Sequence, residues 1–421
     1  PTGTEMPPGA TFLIVGGPEC TGGGTGEAIV WWQVNYNGSV GWTAESFNAD
    51  YFLENATLGT TGNAPTSTPV PVATLVSPAV TLSSNRIPIT ASNIAQVREV
   101  GRLDFGVPVF RMDVGANASL GVEVYNAASG TNQVSMYSLL DTQLTVKTSL
   151  IITGPDHFEG LSPDGQQVAI SDYAAENIST QIELWNAQLQ PEPFELGTYA
   201  TGAFGGIEFS PNGQFNVVFY ENLQANPPTH HVELFNSFNE SRIDLLHTNP
   251  VYSAVFSPDN TRLVTYSHVD NTISVWDLSN GTLITALALP AEANPNSRGA
   301  ALAYSPDGRT LAVGLSGGDA LLLDAQSLDV KRTLQVFTDP DGGILSLAFS
   351  PDGTLLAVAG GTISQAVPSS DNQIRVFNVD SGFRLALLTG HASHVLDLAF
   401  SPDGAFLISS GDNSIRFWGI Q

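Results

Sequence analysis

His391 and His394 are spaced as a helix would space two ligands for a zinc ion. Their surroundings alternate in a strand pattern, however, and on a strand residues i and i+3 face opposite sides, so the pair is not expected to share a metal. His230-His231 follows Pro227-Pro228 and is expected in a hairpin loop with both imidazoles facing water. Asp339-Pro340-Asp341-Gly342-Gly343 matches the first half of a calcium loop but lacks the full pattern and the closing glutamate, so a turn is expected there. Acidic residues number 40, yet no spacing singles out a pair for acid–base or nucleophilic work. There is no phosphate loop and no nucleophile motif. The expectation is a chain with no catalytic residues, no metal site and no cofactor.

Composition narrows the partners. The net charge is −26, and of 14 basic residues only Lys147 and Lys331 are lysines. Phosphate backbones are held by clusters of Lys and Arg, which this chain lacks, so nucleic acid and anionic membrane are poor partners. Charged residues make up 13%, against about 25% in an average soluble protein, and the polar surface falls to Asn, Ser, Thr and Gln. That texture points to an exported chain, extracellular or at a cell surface. No basic-then-apolar leader and no apolar run of transmembrane length is present in the 421 residues. Cys20 is the single cysteine, which excludes an internal disulfide and leaves the compartment undecided on that count.

The elements that position any site are announced by a repeat. Ser-Pro-Asp-Gly or a close variant starts at Ser162, Ser210, Ser257, Ser305, Ser350 and Ser401, at intervals of 48, 47, 48, 45 and 51 residues. Pro presets φ, Asp bonds the following amides, and Gly (or Asn260) supplies positive φ. Period-two alternation flanks each turn, as in Leu347-Ala348-Phe349 before and Leu355–Val358 after, which is a hairpin signature. A third strand then ends on an aromatic or aliphatic residue and a turn residue: Ile182–Asn186, Val232–Asn236, Ile273–Asp277, Leu321–Asp324, Ile374–Asn378 and Ile415–Gly419. Val122–Asn126 reads as a seventh such third strand, with Asp113–Asn117 as its rewritten turn and an insertion between Leu140 and His157.

These endings, with Gly390-His391 ahead of the last unit, resemble the WD-repeat β-propellers over residues 87–421. The resemblance implies an all-β, seven-bladed propeller in which an early strand at 93–103 completes the last blade and closes the ring. It also implies a buried structural network of His391, Ser409 (or Ser410), Asp412 and Trp418, while other blades, with Asp270 and Asp371, lack the histidine. Closure removes exposed sheet edges and makes such a ring a rigid platform.

Residues 1–57 differ. Trp31–Trp42 reads as two strands joined by Asn37-Gly38, a strong hairpin signal. With Phe47, Tyr51 and Phe52 following, the segment resembles a bacterial Src-homology-3-like β-barrel, though no counterpart of the usual first strand precedes Pro1. Further residues or another chain are expected to supply that strand. The resemblance places Trp31 and Phe47 at the ligand groove, but Ala44 stands where the family has proline. Residues 58–86, rich in Thr, Pro and Ser, form an extended linker.

The function expected from these features is non-catalytic: an exported binding or scaffold protein that meets a protein or a cell-wall or surface polymer through its propeller faces and small barrel. The alternative is a subunit that assembles with its own kind into a filament or surface layer. A propeller hydrolase is the third reading, and a cluster of carboxylates in the central channel would revive it.

Overall fold

Each Ser-Pro-Asp-Gly turn is built around its serine. Ser162 Oγ donates to Asp164 Oδ1 (2.6 Å) and accepts from the Gln167 amide (2.8 Å), while the Gly165 amide closes the turn on the Ser162 carbonyl (2.7 Å). The same arrangement recurs at Ser257, Ser305, Ser350 and Ser401, and at Ser210 with Asn212 in place of the aspartate. All six serines are buried, and the turn satisfies their hydroxyls locally. Asn260 takes the glycine's place with φ of 58°, a conformation asparagine tolerates better than most residues.

The computed structural model describes residues 80–421 apart from short stretches at 128, 154–155, 175–178, 190–193, 201–202, 224, 268, 290–300, 316, 338–341 and 363–371, together with five strands between residues 13 and 51. Chain contacts divide it into two units, Pro1–Pro71 and Val72–Gln421.

The second unit contains seven four-stranded antiparallel sheets. In chain order their innermost strands are Val109–Val114, His157–Leu161, Ala203–Phe209, Ser253–Phe256, Ala301–Tyr304, Gly342–Phe349 and Val395–Phe400. Each touches the next, and the last touches the first, so the sheets are the blades of a closed propeller. The apolar side chains that alternate along the strands meet between neighbouring blades. One cluster joins Val264, Tyr266 and Val275 of blade 4 to Leu311, Val313 and Leu323 of blade 5. Blade 7 takes its outer strand from Arg98–Asp104, which pairs Leu103 with Ile415 and Glu99 with Trp418. A short 3₁₀ turn, Ile94–Gln96, precedes that strand. Among the described residues no helix is long and apolar enough to cross a membrane.

Blade 1 departs from the sequence reading. Val122–Asn126 lies in the second strand, Ser119–Asn126, and not the third. The reason is the turn: Gly115–Ala118 replaces Ser-Pro-Asp-Gly directly before it, with the Gly115 amide bonded to the Ser119 carbonyl (3.0 Å). The third strand, Thr131–Ser138, is almost wholly buried yet mixed in polarity, so it lacks the ending seen in the other units. The insertion carries the outer strand, Thr148–Thr153, and a short strand, Gln143–Leu144, that pairs with Val80–Thr81. Residues 80–86, which read as linker, therefore belong to the propeller unit. At Gly121 an added Cβ would lie 2.7 Å from the Phe158 ring of blade 2. Gly121→Ala is expected to lower stability by about 1–2 kcal/mol through overpacking, measured by denaturant unfolding.

In the first unit, Leu13–Gly22, Ala28–Tyr36 and Ser39–Ala44 form an antiparallel sheet in which Tyr36 pairs with Ser39, and Ser46–Phe47 pairs with Asp50–Tyr51. Trp31 lies on the second of these strands and Phe47 on the fourth; their side chains, like the rest of the expected barrel, lie outside the described residues.

Candidate binding site at the channel mouth

The innermost strands bring five charged side chains of four blades to the channel: Arg111 and Asp113 of blade 1, Glu159 of blade 2, Glu208 of blade 3 and Asp397 of blade 7. They line a cavity of about 600 Å³ whose rim carries the turn prolines Pro163, Pro211, Pro351 and Pro402. A second cavity, of about 410 Å³, opens at the other end of the same strands, around Phe110, His157, Leu345 and Leu396, and shares Arg111, Glu159 and Asp397 with the first. Those three residues form the waist between the two mouths.

Most of this charge is already engaged. Asp113 accepts from its neighbour Val114 (2.7 Å) and from the Leu161 amide of blade 2 (2.7 Å). Asp397 accepts from the Met112 amide of blade 1 (3.0 Å) and from Ser410 Oγ (2.9 Å). Ser346 of blade 6 does the same for the Leu398 amide of blade 7 (2.9 Å). Three successive blade junctions are thus stitched by an inner-strand side chain that accepts a hydrogen bond from the next blade's backbone. Glu159 pairs with Arg111 and accepts from Ser171 Oγ (2.8 Å). Burial raises the pKa of Asp113 and of Asp397.

Glu208 stands apart. It has no hydrogen-bond partner among the described residues, and it is open to the water of the channel. Partial desolvation by the channel wall, followed by the charge of Asp113, pushes its carboxyl up to about 8. At the other mouth, His157 Nδ1 lies 3.0 Å from Glu123 Oε1 and its pKa is raised by that hydrogen bond. Phe110 stacks on Tyr125 beside it, with ring centroids 5.5 Å apart.

The structure brings together the residues expected to form a buried network. Ser409 Oγ lies 2.8 Å from His391 Nε2 and accepts from Trp418 Nε1 (2.9 Å). Asp412 accepts from the Ala392 amide (2.8 Å) and lies 3.5 Å from His391 Nδ1. Ser410 points the other way along the strand and bonds Asp397. Burial lowers the pKa of His391 against the opposing charge of Asp412, and so favours the neutral ring. His394 is no part of this, and among the described residues no group of three or more His, Cys, Asp or Glu is arranged to hold a metal ion.

The pattern of the WD domain, G-beta repeat, matches residues 242–277, 331–378 and 382–419. The chain carries WD40 repeats. Each match spans the outer strand of one blade and the three inner strands of the next, so the sequence repeat runs one strand out of phase with the blade. The chain is 30% identical over 178 residues to transcription initiation factor TFIID subunit 5 of Caenorhabditis elegans, covering 41% of this chain and 24% of that protein. It is 28% identical over 179 residues to mouse echinoderm microtubule-associated protein-like 3, covering 41% and 18%. With the anaphase-promoting complex subunit cdc20 of Dictyostelium discoideum it shares 25% over 309 residues, covering 72% and 54%. The chain thus spans between about a fifth and a half of these relatives' own lengths.

A second WD40 network was missed in the sequence. His247 Nε2 lies 2.9 Å from Thr265 Oγ1, which also accepts from Trp276 Nε1 (3.1 Å). The statement that other blades lack the histidine is corrected by this one. His247 follows Leu246 where His391 follows glycine, and threonine replaces serine, but the interval from histidine to hydroxyl is 18 residues in both. That interval was the available signal. His230 and His231 are also corrected: they lie on the strand Thr229–Asn236, where His231 stacks on Tyr220 and bonds Asp244 (2.8 Å). Asp339–Asp341 and Asp371 lie outside the described residues.

Proposed function

We propose that the chain is a non-catalytic scaffold whose protein partner docks over the proline-rimmed channel mouth and offers a basic group to Glu208. The observation that carries this is the state of the four carboxylates in the cavity: three are committed to the fold, and Glu208 alone is free among the described residues. The cavity sets one arginine against four acidic groups, and an arriving cation favours the ionised form of Glu208 beside it. Two relatives are named as subunits of larger complexes, which agrees with a role in assembly. The low charge and near absence of lysine support an exported location for that role. The small amino-terminal unit, through Trp31 and Phe47, is the proposed tether to a surface polymer or neighbour.

A hydrolase reading has one observation in its favour, the carboxylate cluster itself. Acid–base hydrolysis of the paired-carboxyl kind needs two carboxyls free to exchange protons, and Asp113, Asp397 and Glu159 are held by amides, a hydroxyl or a guanidinium. The cluster serves binding better than turnover. Screening the purified chain against an array of Lys- and Arg-bearing peptides tests the proposal. Bound peptides are expected to weaken about tenfold or more on Glu208→Gln, roughly the 1.4 kcal/mol of one desolvated charge pair. Unchanged affinity in the variant, or no binding by the wild type, would sink it.

A further inference from the structure

Residues 80–97 cross the closing blade and pack into the seams on both sides of it. Leu82 and Val80 enter the apolar cluster between blades 7 and 1, beside Leu103, Leu144, Phe406 and Phe417. Ile89 and Ile94 enter the cluster between blades 6 and 7, beside Leu355, Leu398 and Trp418. Between these anchors Arg86 pairs with Asp403, donates to the Leu139 carbonyl (2.6 Å) and lies 5.0 Å over the Phe406 ring. The backbone is bonded at both ends, Leu82 to the Thr142 carbonyl (2.7 Å) and Ile89 to the Gly404 carbonyl (2.8 Å). The crossing is close: a Cβ on Gly101 of the closure strand would lie 2.9 Å from Val80 and 3.0 Å from Leu82.

We propose that this segment is a strap that latches the closing blade, so that the ring opens at its seam only after the strap has lifted. The closure strand Arg98–Asp104 is held to blade 7 by one ladder and is the place where a ring closed by a distant strand is expected to open first. The strap adds two apolar anchors and a clamp on the turn of that same blade. It also joins blade 1 through the pairing of Val80–Thr81 with Gln143–Leu144, which explains why blade 1 carries an insertion there.

Native-state hydrogen exchange on the full chain tests the latch, comparing wild type with the double variant Leu82→Ala, Arg86→Ala. Closure-strand amides are expected to exchange at least tenfold faster in the variant, while the amides of Arg262–Ser267 in blade 4 keep their wild-type rates. The single variant Arg86→Lys keeps the charge but not the fork of contacts, and is expected to give a smaller shift of the same pattern should the double variant fold poorly. Two outcomes overturn the latch. One is loss of protection at Leu82 and Ile89 with the closure strand unchanged. The other is equal acceleration in every blade, which marks global destabilisation.

Discussion

Replacing Ser409 by alanine is expected to lower stability by about 2–4 kcal/mol, measured by urea unfolding, and to leave the far-ultraviolet spectrum of the folded chain unchanged. The hydroxyl is wholly buried and serves two rings at once, bonded to His391 and accepting from Trp418. Its removal orphans a buried polar atom on each ring, and each unpaired group contributes about 1–3 kcal/mol of lost solvation. Nothing local can replace it, because His391 is 3% exposed and Trp418 equally so. Ser409→Thr, which keeps the oxygen, tests whether the hydroxyl or the volume matters; blade 4 already uses threonine for the same purpose at Thr265. A loss below about 1 kcal/mol on Ser409→Ala would mean that water reaches the site and that the network contributes little.

The propeller was legible because its turns are chemically explicit. A serine that must bond Asp and a downstream amide, a proline that sets φ and a residue that accepts positive φ leave a fixed word in the sequence, and six copies of it gave the ring its period. Blade 1 lacks that word, so its second strand, Ser119–Asn126, carries the ending that marks a third strand elsewhere. The strap was illegible for a related reason: Val80, Leu82 and Ile89 lie among Thr, Ser and Pro, and composition cannot say that three apolar side chains in an extended segment find buried places. The channel carboxylates were hidden for a different one. Asp113, Glu159, Glu208 and Asp397 come from the inner strands of four blades, and although their spacing follows the repeat, only ring closure makes them neighbours. Of the expected network, His391, Ser409, Asp412 and Trp418 were visible because they fall within one blade.

Stability is expected to peak at mildly acidic pH and to fall by about 2 kcal/mol between pH 5 and pH 8.5, read as midpoints of denaturant unfolding. The direction follows from the channel. Glu208, Asp113, Asp397 and Glu123 all have pKa values above their ordinary ones, so each holds more protons folded than unfolded, while His247 and His391, lowered by burial from 6.5, act in the opposite sense at the acid end of that window. A carboxyl raised on folding stabilises while protonated and loses that contribution as pH rises through its folded value. For Glu208 the window runs from the ordinary 4.5 to about 8. A shift of that size would be worth close to 5 kcal/mol for a group cut off from water, but Glu208 touches channel water, and screening reduces it to about 2 kcal/mol. On the acid side the turn aspartates act in the opposite sense. Asp259, Asp307, Asp352 and Asp403 have lowered values, so their stabilisation is present above the ordinary carboxylate range and is lost as pH falls through it. Glu208→Gln separates the channel from the turns. It should remove most of the fall above pH 6 and leave the acid limb in place, because the amide carries no charge to bury. A variant whose alkaline limb matches the wild type would show that Glu208 is not the group that titrates, and would move the free charge of the channel elsewhere.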